Sequence, residues 1–279
     1  MKLPPGICLL EYAPSYPVFE ISHPTCTARV ALHGAHVMSW KPRGEEEVLY
    51  LSPEAVFEEG KPIRGGIPVC WPWFNAHPTD PGLPSHGIAR NRFWEVVEAG
   101  EDEGGATLRF EMSEGPWSAS LTVRFGAALE VCLESRNPGD SRIAVSGALH
   151  SYLSVSDIGR VRVLNLEDTE YLDTVGDPRV LRQHGALEFR GEVDRNYDSP
   201  AGVQLADDAM GRSLLIEKSG SPTTVVWNPW QEKARALGDL PDDGYLKFCC
   251  IEAAIANDRA VTIEPGGSHL LSTRISIGG

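Results

Sequence analysis

Short runs of Val, Ile, Leu, Thr and aromatic residues recur along the chain, broken at intervals by glycine and proline, and the three-four spacing of an amphipathic helix is nearly absent. This pattern predicts strands at Ala28–Leu32, Val37–Trp40, Phe93–Val97, Ala106–Phe110, Ser120–Phe125, Leu129–Ser135, Ile143–Ser151, Val161–Leu166, Ser213–Glu217, Thr223–Trp227, Leu246–Ala254 and His269–Ile277. One short helix is predicted at Gln231–Leu237, closed off by the Gly238-Asp239 and Asp242-Asp243-Gly244 turns. Many strands with turn signals every ~8–12 residues predict an all-β fold, a large antiparallel β-sandwich, with a barrel as the alternative. No repeat, low-complexity segment or linker interrupts the pattern, and residues 1–279 read as a single domain.

Within Ile143–Val155 the alternation separates two faces, with Val145, Leu149, Leu153 and Val155 on one and Ser146, Ala148, His150, Tyr152 and Ser154 on the other. Small neighbours leave room above His150, which suits the floor of a cleft; the alternative is a half-exposed strand histidine making one hydrogen bond. Phe248–Ile255 is apolar except for Glu252, and burying an unpaired carboxylate in such a strand costs several kcal/mol. Glu252 therefore needs a partner, a cleft or an edge position facing water. An imidazole and a carboxylate that meet in one cleft can move two protons together, because modest shifts bring both into the neutral range. His150 and Glu252 are the candidate catalytic pair.

Composition narrows the ligand. With 42 % hydrophobic and 23 % charged residues, the 279-residue chain lies outside the regime of intrinsic disorder. A net charge of −14 opposes nucleic acid and anionic membrane at long range, so neither is expected as a partner. A bound anion would need a local arginine cluster. Two loop segments offer one: Arg64-Gly65-Gly66-Ile67-Pro68-Val69-Cys70-Trp71-Pro72-Trp73-Phe74, too proline-rich for a helix or central strand, and Leu83-Pro84-Ser85-His86-Gly87-Ile88-Ala89-Arg90-Asn91. The two glycines beside Arg64 would let backbone amides and the guanidinium approach one anion together, although the G-K-[ST] ending of a nucleotide P-loop is missing. Arg64 and Arg90 either form separate surface ion pairs or frame one pocket as an anion clamp. Trp227-Asn228-Pro229-Trp230, with Trp71, Trp73 and Phe74, offers flat surfaces that stack on sugar rings or pack in the core. Six cysteines without a C-x-x-C pair fit a reduced setting, and the first residues lack the apolar run of a secretory signal. No segment approaches the ~20 apolar residues of a membrane span, and a cytoplasmic protein is expected.

Other chemistries lack their residues. There is no G-x-S-x-G elbow and no H-E-x-x-H, while His33 and His36 bracket the Gly34-Ala35 turn of a hairpin and read as structural. Seven segments in order resemble the glucose-6-phosphate 1-epimerase (hexose-6-phosphate mutarotase) branch of the aldose 1-epimerase family from end to end. They are His33-Gly34-Ala35-His36 with Trp40, Arg64-Gly65-Gly66-Ile67-Pro68 with Cys70-Trp71-Pro72, His86-Gly87-Ile88-Ala89-Arg90-Asn91, Leu149-His150-Ser151-Tyr152, Glu192-Val193-Asp194-Arg195-Asn196-Tyr197, Trp227-Asn228-Pro229-Trp230 and Cys250-Ile251-Glu252. The resemblance implies a galactose-mutarotase-like supersandwich that interconverts the anomers of hexose 6-phosphates, glucose 6-phosphate foremost among such small sugar phosphates, with no metal and no cofactor; a monomer is expected. By position it implies His150 and Glu252 as the catalytic residues, with Arg64 and Arg90 near the phosphate; ring opening needs a base at the anomeric hydroxyl and an acid at the ring oxygen, and these roles are assigned to Glu252 and protonated His150. The resemblance also implies Asp194, Ser85, His86 and Trp227 as further substrate contacts, with Ser85 standing where relatives often carry glutamine. A non-catalytic carbohydrate-binding sandwich and a mutarotase of unphosphorylated aldoses are the competing readings.

Overall fold

Alternating apolar positions become strands throughout the computed structural model, which describes residues 1–278. Among these residues twenty-two strands form antiparallel sheets of nine, seven, four and two strands, and α-helix is confined to Trp230–Arg235 (α1). The seven-stranded sheet positions the site. In chain order its strands are Val69–Cys70 (β1), Gly147–Ser154 (β2), Glu170–Asp173 (β3), Arg179–Arg182 (β4), Val193–Tyr197 (β5), Thr223–Asn228 (β6) and Phe248–Ile255 (β7), laid side by side as β4-β3-β5-β6-β7-β2-β1.

Pleating sends successive side chains to opposite faces of this sheet. One face, including Leu149 and Leu153 of β2, Val226 of β6 and Ile251 and Ala253 of β7, enters the main core. That core also takes Phe110, Leu121, Val131 and Ile275 from the nine-stranded sheet and Phe19, Val30 and Trp40 from the four-stranded one. Each large apolar side chain removed from water there contributes ~1.5–3 kcal/mol, so the layers hold one another without helical cover. The result is the predicted sandwich. The opposite face carries the small and polar set: Ala148, His150 and Tyr152 on β2, Cys250, Glu252 and Ala254 on β7, Val225 and Trp227 on β6, and Asp194 on β5.

The structure differs from the sequence reading at three places. The strand expected over Ile143–Ser151 breaks at Ser146, because Ile143–Val145 pairs with Val261–Ile263 whereas β2 pairs with β7. At the break the Ser146 amide bonds the Pro72 carbonyl and its Oγ accepts from the Phe74 amide. Strands Ile7–Ala13 and Tyr16–His23 are not among the expected ones; Pro14 lies in the turn that connects them, and Pro17 is the second residue of the latter. The helix starts at Trp230, where the Trp230 amide donates to Asn228 Oδ1 at 2.9 Å, and α-helix ends at Arg235. No helix among the described residues is long and apolar enough to cross a membrane.

Candidate active site

His150 and Glu252 are partners in the β2–β7 ladder, directly opposite one another. Opposed residues in an antiparallel pair hold their Cβ atoms ~4.5–5.5 Å apart, so the two side chains must meet. His150 Nε2 lies 3.3 Å from Glu252 Oε1, with His150 9 % and Glu252 1 % exposed. Their same-face neighbours Ala148, Ala254, Cys70 and Cys250 are small, which leaves a cavity of about 180 Å³ above the pair. Arg64, His86, Arg90, Asp194 and Trp227 line it as well. Seven of the eight residues picked from the sequence are therefore brought together, though they span positions 64 to 252.

Burial acts on the pair in opposite senses. It pushes His150 well below the ordinary imidazole range, assisted by the charges of His86, Arg90 and Arg64. It pushes Glu252 well above the carboxylate range, with Asp194 adding to the effect and Arg90 opposing it. In this environment each group is driven toward its uncharged form. The resting state this burial favours differs from the carboxylate–imidazolium form that a Glu252 base and a His150 acid require, because neither ion is solvated there. Glu252 Oε2 and His150 Nδ1 are buried without a hydrogen-bond partner. Asp194 sits opposite Trp227 in the β5–β6 ladder, and burial raises its carboxyl too.

The loop before β1 holds Arg64 by backbone contacts. Tyr152 N donates to Gly66 O at 2.9 Å and His150 N to Pro68 O at 3.1 Å, so the loop runs against β2. Glycine is required there: at Gly65, with φ +110°, a Cβ would sit 2.4 Å from Tyr50 O, and at Gly66, with φ +61°, 2.2 Å from Val37 O. The expected role of these glycines changes accordingly. Gly66 N bonds Tyr50 O at 2.7 Å, so the pair serves close packing of the loop and that amide is committed within the protein. His36 Nε2 donates to Gly65 O at 2.9 Å, its pKa lowered to about 3 by burial, and His33 Nδ1 lies 3.0 Å from Tyr16 Oη. Both histidines are structural, as read, and His36 fixes the loop that carries Arg64.

Arg64 Nε donates to Asp239 Oδ1 at 3.1 Å and its Nη1 to the Tyr152 hydroxyl at 3.0 Å. Arg90 donates through Nη2 to the Ser85 carbonyl at 3.0 Å, while its Nε is buried and unpartnered. Ser85 itself is exposed and does not line the cavity; its backbone, not its hydroxyl, serves the site. Of the aromatic set, Trp227 and Phe74 reach the cavity, whereas Trp71 bonds Ser135 in the core, Trp73 bonds the Pro84 carbonyl and Trp230 packs on Tyr245. Sequence reasoning left Asp239, Lys233 and Asn75 unassigned and gave Tyr152 no role. Tyr152 was legible as the next residue on the His150 face, but Asp239 lay 175 positions from Arg64 in what read as a plain turn.

The chain matches the family described as aldose 1-epimerase over residues 17–276. It belongs to the aldose 1-epimerase family. As a member it is an isomerase, and its substrate is a small sugar. A protein of Escherichia coli (strain K12), provisionally named glucose-6-phosphate 1-epimerase, is 37 % identical over 261 residues, covering 90 % of this chain and 87 % of that protein. Another under the same provisional name, from Salmonella typhimurium (strain LT2), is 38 % identical over 264 residues, covering 91 % and 88 %. The crystal structure of YeaD from Salmonella typhimurium, provisionally a mutarotase, superposes with a TM-score of 0.92 at 33 % identity and covers 99 % of this chain and 95 % of that one.

The buried carboxyl of this epimerase has a consequence for stability. A glutamate whose folded pKa is raised keeps a proton that the unfolded chain releases, so stability falls as pH rises above about 4.5 toward the folded value. Glu252→Gln removes the titration and keeps the volume. The variant is expected to melt above wild type near pH ~7.5, by ~2–4 °C for each kcal/mol relieved, with the difference closing as pH falls toward the ordinary glutamate range. Thermal melts across that interval check it; a variant less stable than wild type at the alkaline end contradicts the assignment.

Proposed function

We propose that this aldose 1-epimerase interconverts the α and β anomers of hexose 6-phosphates, glucose 6-phosphate foremost, without metal or cofactor. The observation that carries the reading is a single cavity in which two arginines, Arg64 and Arg90, stand around a His150–Glu252 pair 3.3 Å apart. Opening the pyranose ring means taking the proton from the anomeric hydroxyl and supplying one to the ring oxygen; rotation about C1–C2 and closure then reverse both transfers. Glu252 is the base and His150 the acid in the opening step, the roles exchanging on closure.

The pair reaches its reactive ionisation when substrate is in place. A ligand hydroxyl donating to the unpartnered Glu252 Oε2 favours the carboxylate, and a bound phosphate offsets Arg64 and Arg90, whose charges help keep His150 neutral. Asp194 and Trp227, side by side on β5 and β6, hold the sugar hydroxyls and one face of the ring, and His86 completes the wall. The names of the relatives support the same substrate class.

Purified protein is expected to speed α/β exchange of glucose 6-phosphate above the buffer rate, followed by polarimetry or exchange NMR, and to act on it in preference to glucose. If binding of sugar occurs with anomerisation at the spontaneous rate, the non-catalytic sandwich is the correct reading.

A further inference from the structure

The acid/base end of the cavity and its arginine are joined by one side chain. Tyr152 lies two residues beyond His150 on the same face of β2, and its ring stacks on the imidazole with centroids 4.8 Å apart and planes 13° from parallel. Its hydroxyl accepts the 3.0 Å bond from Arg64 Nη1. Phe248 and Trp227 pack against the same ring, at 5.1 and 6.0 Å between centroids, and Tyr152 is 3 % exposed. Phenylalanine would fill this place equally well, and a hydroxyl carried into such an environment costs stability unless it is bonded. Among the described residues Arg64 is the only hydrogen-bond partner of that hydroxyl. The oxygen is thus explained by the arginine, and the ring by the imidazole.

We propose that Tyr152 is a positioning residue that fixes the Arg64 guanidinium and the His150 imidazole at once, setting the span between the anion anchor and the anomeric centre. This rests on the hexose 6-phosphate reading and deepens it. Asp239 holds Nε and Tyr152 holds Nη1, so two of the five guanidinium donors are committed and the orientation of the other three is set. Free rotation of the fork would let the phosphate anchor at more than one distance from the pair. With both ends of the fork tied, and the imidazole stacked on the tying residue, a hexose 6-phosphate is held with C1 over the pair, whereas an unphosphorylated hexose gains nothing from the link.

The test separates the two halves of the side chain in the full-length protein. Tyr152→Phe keeps the stack and removes the bond to Arg64. It is expected to raise KM for glucose 6-phosphate about tenfold more than KM for glucose, with kcat changed less than about threefold and the pH profile of kcat unmoved. Tyr152→Leu removes the stack as well, lowers kcat by a further factor of about ten and shifts the profile, because the imidazole loses a wall and is wetted. Equal KM changes for the two sugars in Tyr152→Phe, or coincident kinetics for the two variants, overturn the proposal. If melts show that Tyr152→Leu does not fold, the KM ratio in Tyr152→Phe decides alone. Wild-type protein inactive on glucose 6-phosphate removes the underlying reading, whereas active wild type with an unaltered Tyr152→Phe removes only this inference.

Discussion

Glu252→Gln is expected to slow anomerisation of glucose 6-phosphate by about 10²–10⁴-fold while leaving KM within a few-fold of wild type. Glutamine matches the shape of the carboxyl and can still accept a hydrogen bond from the anomeric hydroxyl, so binding survives, but it takes no proton. His150→Asn should fall on the same scale. Because His150 Nε2 and Glu252 Oε1 stand 3.3 Å apart and serve one coupled transfer, the double variant should be little slower than the worse single one. Losses that multiply would mean the two groups act in separate events. The pH dependence follows from the directions of the shifts. Below the depressed His150 value both groups are protonated and no base is present; above the raised Glu252 value neither is, and no acid remains. The kcat/KM profile, which reports the free enzyme, is therefore a bell whose two limbs belong to the pair, not to either residue. Measured rates for the variants, corrected for spontaneous exchange, together with the wild-type profile, check all three statements. A rate untouched by Glu252→Gln would end the acid/base assignment.

The pair was legible because strand periodicity does two things at once. Alternation placed His150 among small residues on one face of β2, and the isolated carboxylate in an otherwise apolar β7 demanded a partner; that they would be directly opposed depends on register, which the two segments do not encode separately. The aromatic residues show the limit from the other side. Trp71 and Trp227 both follow strand-forming residues and precede a proline by one or two positions, yet Trp71 is held by Ser135 in the core and Trp227 faces the cavity. The difference lies in which face each strand presents once the nine-stranded sheet is packed beneath it. Gly65 and Gly66 stand out in the sequence, and close backbone approach accounts for both in the structure, with the Gly66 amide committed to Tyr50; close approach and amide exposure to a ligand leave the same trace in a sequence. The salt bridge to Asp239 had no trace at all: a surface-turn aspartate becomes functional only because the turn after α1 folds over the loop carrying Arg64.

Arg64→Ala is expected to raise KM for glucose 6-phosphate about 10²-fold and KM for glucose by less than about threefold, so the preference between the two sugars shrinks by well over an order of magnitude. A hydrogen bond to a charged group contributes ~1.5–3 kcal/mol net, or a factor of ~10–100, and a fork that presents donors in parallel can supply more than one. Arg90 and Lys233 remain at the cavity and retain part of the attraction, which keeps the loss from being complete. The fold should tolerate the change. The Arg64 and Asp239 side chains are 20 % and 21 % exposed, so water can take over the freed carboxylate and the loss falls on binding more than on stability. Arg64→Lys discriminates further. It keeps the charge but lacks the planar fork that bonds Asp239 and Tyr152 while presenting further donors in fixed directions, and it should recover only part of the lost affinity. Steady-state kinetics on the two sugars at constant ionic strength make the comparison. If Arg64→Ala weakens use of glucose and glucose 6-phosphate equally, the guanidinium supports the wall of the cavity and the selectivity for an anion comes from Arg90 or Lys233.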